Sequence, residues 1–460
     1  MSETPSKLGH NLEWPALMFT VVDRDKRELM AKQDSGSDQA LKFTVIIPTR
    51  ERCDTLLWTL RTCTNQDYDT FEILVSDNFS QDETRDVVAS FKDPRIRYVN
   101  TGKHLSMSHN WEFALSHVEK GYVTFVGDDD GLLPGAISEL NTLIQRLGGP
   151  EALSWQKADY SWPDAMSENQ RNYLLIPLSR RLMQYDARQA LQNVADFDAA
   201  GWKFPRFYNN LPCLYNSVVS MTAIRRAQDA SGKFFHSCIP DVYSAVALSC
   251  VLDTYYYSFK PYSVNGASRH SGGSSYFSAG DQGAAAAKFL GEKNLPFHED
   301  LAMAPSIPIL TAEAFLQARD HLAPEIAPPP SVDVKKVIRR ALLEATHASS
   351  KVTYDRVVEA LQEIGRHYGI EVDVALQIAQ SPYRSTSKTK LATGYKIQQQ
   401  CLCMLCDNFG VQNIYDASLI CKYTLDLREN KPMSWLNIIQ TNMALVPDYF
   451  RRFLHHLLRE

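Results

Sequence analysis

The chain contains no run of about 18 apolar residues, so no segment of it is expected to cross a membrane as a helix. It lacks a basic excess: the formal net charge is −5, where a nucleic-acid binder would be strongly positive. The opening MSETPSKLGHNLEWP has no basic segment leading into an apolar stretch, and no secretory signal is expected there. Nine cysteines in 460 residues, at scattered spacings, do not make a disulfide framework and suit reduced thiols in a cytoplasmic setting. No Gly-x-Gly-x-x-Gly follows the first apolar run, which removes the usual dinucleotide oxidoreductase fingerprint.

What remains is a soluble globular composition, 44% hydrophobic and 22% charged, in a chain too long for one ordinary compact domain. Residues 1–40 show no clear period and are expected to be a leader. From Leu41 to about residue 275, FTVII, FEILV, RIRYV and YVTFV alternate with segments of helical spacing. Leu56, Leu57 and Leu60 share one helical face, with Asp54 as the expected N-cap. Trp111, Ala114, Leu115 and Val118 share another, with Gly121 as the stop. Buried strands alternating with helices predict an α/β domain with a mostly parallel sheet covered on both faces. Residues 276–330 form a connecting segment that ends in a Pro-rich linker, and 331–460 carry helical periodicity and no strand signal.

Within CLCMLC, Cys401, Cys403 and Cys406 do not match the paired Cys-x2-Cys spacing of zinc knuckles. The segment reads as helix, and its cysteines as small buried apolar residues.

In such a sheet, ligands gather beyond the carboxyl ends of the strands. PTRER follows the first strand, SDNFSQDE the second and GDDDG the fourth, so three polar turns should meet at one edge. Three adjacent carboxylates repel one another and are costly to desolvate, which asks for a solvated turn or a bound cation.

These residues resemble the inverting nucleotide-sugar glycosyltransferases of family 2, which have the GT-A fold. FTVIIPTRERCDTLLWTLRTCTNQDYDTFEILVSDNFSQDET is similar to that family's opening, and GYVTFVGDDDGLLPGAI to its metal-binding segment. The resemblance is sharp over about residues 42–140 and weak to about 275, and it implies a GT-A domain; the all-helical C-terminal region after it is expected from periodicity alone. It implies Mn²⁺ or Mg²⁺ at Asp128, Asp129 and Asp130, with His270 as a further ligand. Hard cations of this kind take carboxylate, phosphate and water oxygens. Counted back from Pro134, the family's Asp-x-Asp-Asp begins at Gly127 and makes Asp129 the main ligand, followed by Asp130. Taken literally, Asp-x-Asp is Asp128 and Asp130. Asp128 would replace the missing first acid at the ribose.

The resemblance also implies that Asp77 accepts the imide N–H of a pyrimidine, which favours UDP or dTDP donors. Pro48, Thr49 and Glu51 would wall the nucleoside pocket, and Asn110 would reach ribose or base. Arg269 and His270 would close over the diphosphate. Asp241, behind Pro240 at a helix start, is the expected base for the acceptor hydroxyl, with His236 as a weaker substitute. The Gln-x-x-Arg-Trp signature of processive polysaccharide synthases is absent, as are membrane helices, which points to single-residue transfer to a glycan or lipid-linked acceptor, such as in bacterial surface polysaccharide synthesis. The helical region would contact acceptor, membrane surface or a second copy of the chain. Two other readings stay open: a degenerate nucleotide-sugar-binding protein, and a Mg-dependent phosphohydrolase, although no Asp-x-Asp-x-Thr is present.

Overall fold

The apolar runs form the centre of a large mixed sheet. The computed structural model describes residues 40–165, 171–197, 210–229, 231–270, 295–348, 350–384, 395–398 and 401–430. Its strands are β1 (Phe43–Thr49), β2 (Phe71–Asp77), β3 (Ile96–Asn100), β4 (Tyr122–Phe125), β5 (Gly131–Leu132), β6 (Ala152–Trp155), β7 (Ala158–Ser161), β8 (Tyr173–Pro177), β9 (Leu182–Asp186), β10 (Ser217–Ser220), β11 (Thr254–Ser258), β12 (Ser263–Ala267), β13 (Tyr395–Gln398) and β14 (Cys401–Leu405). The described helices are α1 (Cys53–Thr64), α2 (Thr84–Ser90), α3 (Met107–Leu115), α4 (Ala136–Arg146), α5 (Ala187–Ala195), α6 (Met221–Ala227), α7 (Pro240–Val251), α8 (Ile307–His321), α9 (Val334–Ala345), α10 (Lys351–His367), α11 (Glu371–Gln380) and α12 (Ile414–Asn430).

Eight strands pair in the order β3-β2-β1-β4-β10-β6-β11-β9. β1 runs parallel to both β2 and β4, and β2 parallel to β3; β10 enters antiparallel between β4 and β6. Because side chains alternate along a strand, Val45 and Ile47 face one core and Ile46 faces the other. The first core is closed by Leu56 and Leu60 of α1, Ile137 and Leu140 of α4, and Ile414 and Ile420 of α12. The second is closed by Trp111 of α3, Val246 of α7 and Phe315 of α8. This is the mixed sheet with helices on both faces expected from the sequence. A second sheet, in the order β13-β14-β8-β7-β12-β5, begins at Gly131, immediately after the three carboxylates. The acidic turn therefore links the two sheets.

Beyond the sheets, α9, α10 and α11 stack with α8 around a third core that includes Val337, Ile338, Leu361 and Ile364. The spacing of Val337, Ile338, Ala341, Leu342 and Ala345 along α9 is that of one helical face. Among the described residues no helix is long and apolar enough to cross a membrane.

Three local expectations are corrected. Cys401–Leu405 is a strand: β14 pairs antiparallel with β13 and with β8. Leu402 and Met404 point into the first core while Cys401 and Cys403 are half-buried, a period of two that short apolar runs share with helices until a distant partner strand decides. Helix α3 ends at Leu115, six residues before Gly121, the expected stop. The N-cap of α1 is Arg52, not Asp54; the Asp82 carboxylate from the next polar turn accepts the Cys53 N–H at 3.0 Å. The leader expected at 1–40 lies, apart from Ala40, outside the described residues.

Two buried acids tie α8 down. Glu313 accepts from the Ser237 hydroxyl and from Gln317 Nε2 at 2.8 Å, and Glu344 accepts from Ser306 Oγ at 2.7 Å beside the start of α8. Burial pushes both carboxyls up to about 7, against those hydrogen bonds. The unfolded chain releases such protons near about 4.3, so the folded state holds more protons between that value and about 7. Stability should therefore fall as pH rises through this window. Urea midpoints at pH 5 and pH 7.5 should show the fall, and Glu313→Gln should flatten it. The strand assignment predicts that Met404→Ala costs about 2–5 kcal/mol in urea unfolding, while Cys403→Ala costs far less.

Candidate active site

At the carboxyl edge of the parallel strands, Thr49 pairs with Asp77 across β1 and β2, and β4 ends beside them in register with β1. All three polar turns meet here. Glu51, held at φ 53°, donates its N–H to Ser80 Oγ (2.9 Å) and accepts the Gln81 N–H on Oε1 (2.8 Å), which binds the first turn to the second. Pro48 lies in β1 one residue before Thr49, whose hydroxyl is buried with no protein partner.

Asp77 is buried and already well supplied with donors. Its Oδ2 accepts from Tyr98 Oη at 2.5 Å and Asn100 Nδ2 at 2.8 Å, and its Oδ1 from the Ser80 N–H at 2.9 Å. Only one lone-pair position, on Oδ1, remains for a base. Asn110 is also occupied: its Oδ1 accepts from Ser76 Oγ at 2.8 Å, which fastens α3 to β2.

The three consecutive carboxylates, all nearly inaccessible, turn to three different partners. Asp128 Oδ1 accepts from Arg52 Nη1 at 2.8 Å. Asp129 Oδ2 accepts from Ser268 Oγ at 2.7 Å and the Ser268 N–H at 3.3 Å. Asp130 accepts from the Gly127 N–H at 2.9 Å and from Tyr215 Oη on Oδ2, and from the Gly266 N–H at 2.6 Å on Oδ1. Burial, then the neighbouring carboxylate, raises the proton affinity of both Asp129 and Asp130. Asp130 thus has three protein donors, two of them on Oδ2, and folds back over Gly127. A Cβ at Gly127 would stand 2.6 Å from Asp130 Oδ2, so a side chain there would displace that carboxylate.

Helix α1 fixes the turn from below. Thr59 Oγ1 donates to the Asp130 carbonyl at 2.7 Å, and Thr62 Oγ1 accepts the Leu132 N–H at 3.1 Å. From the second sheet, Trp162 Nε1 donates to the Asp129 carbonyl at 3.1 Å.

Asp241 lies at the second position of α7 and is half-buried. Burial raises its carboxyl above the ordinary range; the N–H groups of its own helix start and the charge of Lys157 oppose this. The Leu214 N–H donates to Ser244 Oγ near the start of α7 at 3.1 Å, and the next residue, Tyr215, donates to Asp130, so the start of α7 is tied to the acidic turn. His236 is turned elsewhere: its Nε2 is 3.3 Å from Asp229, its ring stacks on His321 at 4.5 Å, and burial drives it down to about 4.

Arg269 and His270 lie beside α1, with their side chains toward Asp54 at 2.9 Å and 3.3 Å respectively. The His270 carbonyl, not its ring, accepts from Arg52 Nη2 at 2.5 Å.

Among the described residues no group of three His, Cys, Asp or Glu side chains is arranged to hold a metal ion. A cation that bridges phosphates needs only one or two carboxylates, the rest of its shell being phosphate and water. Asp128 and Asp129 fit that smaller demand; Asp130, with three protein donors, does not. Sequence reasoning did not single out Arg52, Tyr215, Ser268, Trp162 or Gly266. Arg52 was legible in principle, since it stands in the PTRER turn at the same sheet edge. The others come from irregular segments whose pairing the sequence does not advertise.

With this geometry in place, the chain can be set beside known proteins. Residues 44–197 match the family model described as Glycosyl transferase family 2. The chain is 38% identical over 108 residues to the GalNAc(5)-diNAcBac-PP-undecaprenol beta-1,3-glucosyltransferase of Campylobacter jejuni, a match covering 23% of this chain and 34% of that protein. It is 33% identical over 108 residues to the uncharacterized protein MT1568 of Mycobacterium tuberculosis, covering 24% and 33%. The chain thus spans about a third of the length of these curated relatives. Among solved structures it is similar to S. aureus TarS 1-349, at 14% identity and a TM-score of 0.38 over 78% of this chain and 95% of that one. It is also similar to the mannosyltransferase PcManGT of Pyrobaculum calidifontis in complex with GDP-Man and Mn²⁺, at 17% identity and a TM-score of 0.34 over 77% and 91%. The fold assignment rests on the strand order, not on these superpositions.

The approach of β12 to the acidic turn is testable. A Cβ on Gly266 would stand 1.8 Å from the Asp129 carbonyl oxygen. Gly266→Ala should cost about 1–3 kcal/mol or more in urea unfolding, as overpacking does. An unchanged midpoint would contradict this contact.

Proposed function

We propose that the chain is a metal-dependent inverting glycosyltransferase. It would move a sugar from a nucleoside-diphosphate donor to a hydroxyl of a glycan or lipid-linked acceptor in bacterial surface polysaccharide synthesis, on the cytoplasmic side and at or near the membrane. The observation that carries the reading is the tie between the acidic turn and the helix start that bears Asp241, at the carboxyl edge of the parallel strands in a segment that matches the family 2 model. The name of the Campylobacter jejuni relative, with its PP-undecaprenol acceptor, supports the lipid-linked class.

In this reading Asp128 and Asp129 hold Mn²⁺ or Mg²⁺, which when bound stabilises the negative charge of the leaving diphosphate. Asp130 keeps the turn in shape through Gly127, Gly266 and Tyr215. Pro48, Thr49, Glu51 and the free position on Asp77 Oδ1 form the nucleoside side, which favours UDP or dTDP. Asn110 acts there through Ser76 and β2. Arg269 and His270 form the diphosphate side. Asp241 takes the proton from the acceptor hydroxyl; that oxygen bonds to the anomeric carbon as the bond to the diphosphate oxygen breaks, and the electron pair leaves with the diphosphate. A carboxyl raised by burial is a better base for this step than an ordinary one.

A second reading has its own support, since the described residues lack a three-ligand metal cluster: a nucleotide-sugar-binding protein without turnover. One experiment separates the two. Asp241→Asn should lower transfer to acceptor about 10²–10⁴-fold while leaving UDP binding unchanged. Asp129→Ala should abolish both transfer and metal-dependent UDP binding. Saturable UDP binding by the unaltered protein with no transfer to any glycan or lipid-linked acceptor would favour the second reading.

A further inference from the structure

Arg52 has no part in the scheme above, yet it sits at the centre of the acidic turn. Its Nη1 donates to Asp128 Oδ1 at 2.8 Å and its Nη2 to the His270 carbonyl at 2.5 Å. The Asp128 side chain is 3% exposed. Burial works against the charge of Arg52, and the nearby charges of Asp128, Asp129 and Asp54 outweigh it. A guanidinium does not lose its proton in a protein, so this positive charge is fixed. It has two consequences. A divalent cation approaching Asp128 and Asp129 alone meets a like charge and an acceptor oxygen already in use. A diphosphate brings several anionic oxygens, and the planar guanidinium fork matches them as well as it matches a carboxylate.

We propose that Arg52 couples the binding of cation and nucleoside diphosphate: it holds Asp128 while the site is free of ligand and re-pairs with the diphosphate when both ligands bind. The cation then binds tightly only together with the diphosphate. By linkage the diphosphate gains the same factor from the cation. Arg52 is here a positioning and charge-balancing residue, and the inference rests on the donor-site reading above.

The test measures free Mn²⁺ by electron paramagnetic resonance over the full chain, without and with saturating UDP, in the unaltered protein, Arg52→Gln and Arg52→Lys. The unaltered protein should bind Mn²⁺ at least about tenfold more tightly with UDP than without. Arg52→Gln should bind Mn²⁺ alone about tenfold more tightly and UDP about tenfold more weakly, so that the coupling collapses. Arg52→Lys keeps the charge and should retain most of it. A merely structural tie between α1 and residue 270 would lower the melting temperature of Arg52→Gln and leave the coupling intact, which overturns the inference while the donor site stands. If the unaltered protein shows no coupling between Mn²⁺ and UDP, the donor-site reading falls and the inference falls with it.

Discussion

Three carboxylates in sequence, nearly removed from water, are the constraint around which this structure is arranged. Their mutual repulsion and desolvation would unfold the turn if each had no partner of its own. Three distant segments supply those partners, namely Arg52 from the first turn, Tyr215 just before β10, and Gly266 with Ser268 at the end of β12, and the turn's own Gly127 amide adds a further donor. Each is placed by a different element. The turn is therefore a junction, and both sheets have to be in place for it to close.

That requirement explains the architecture beyond the parallel core. β5 leaves the acidic turn directly into the second sheet, where it pairs with β12, the strand that carries Gly266. β14 then extends the same sheet through β8. α12 returns to cover α1, whose threonines grip the turn. Asp77 and Asp241 are thus set relative to one another by a continuous packed frame. Glu313 adds to this by fixing Ser237, four residues ahead of Asp241.

How far the sequence reveals this depends on locality. β1, β2 and β4, their helices and their meeting edge follow from short-range periodicity and from the rule that ligand-binding turns follow parallel strands. The helical stack from α9 to α11 is equally local. β14 was misread because CLCMLC satisfies a strand and a short helix alike until β8, more than two hundred residues earlier, is known to lie beside it. The same limit applies within the site. The acids were visible as a motif, but their division of labour was not, because it is decided by Ser268, Gly266 and Tyr215. Asp130 reads from sequence as a metal ligand and is, in the fold, the acid most occupied by protein donors.

The central claim is that this turn serves a nucleoside diphosphate together with a divalent cation. The most direct measurement is the thermal stability of the unaltered protein with UDP, dTDP, GDP, CDP and CMP, each with Mn²⁺ and with EDTA. A ligand present at a hundred times its dissociation constant adds about 2.7 kcal/mol, enough for a clear shift in melting temperature. The account predicts stabilisation by UDP or dTDP that requires Mn²⁺. Equal melting temperatures with and without Mn²⁺ for every nucleotide would contradict it.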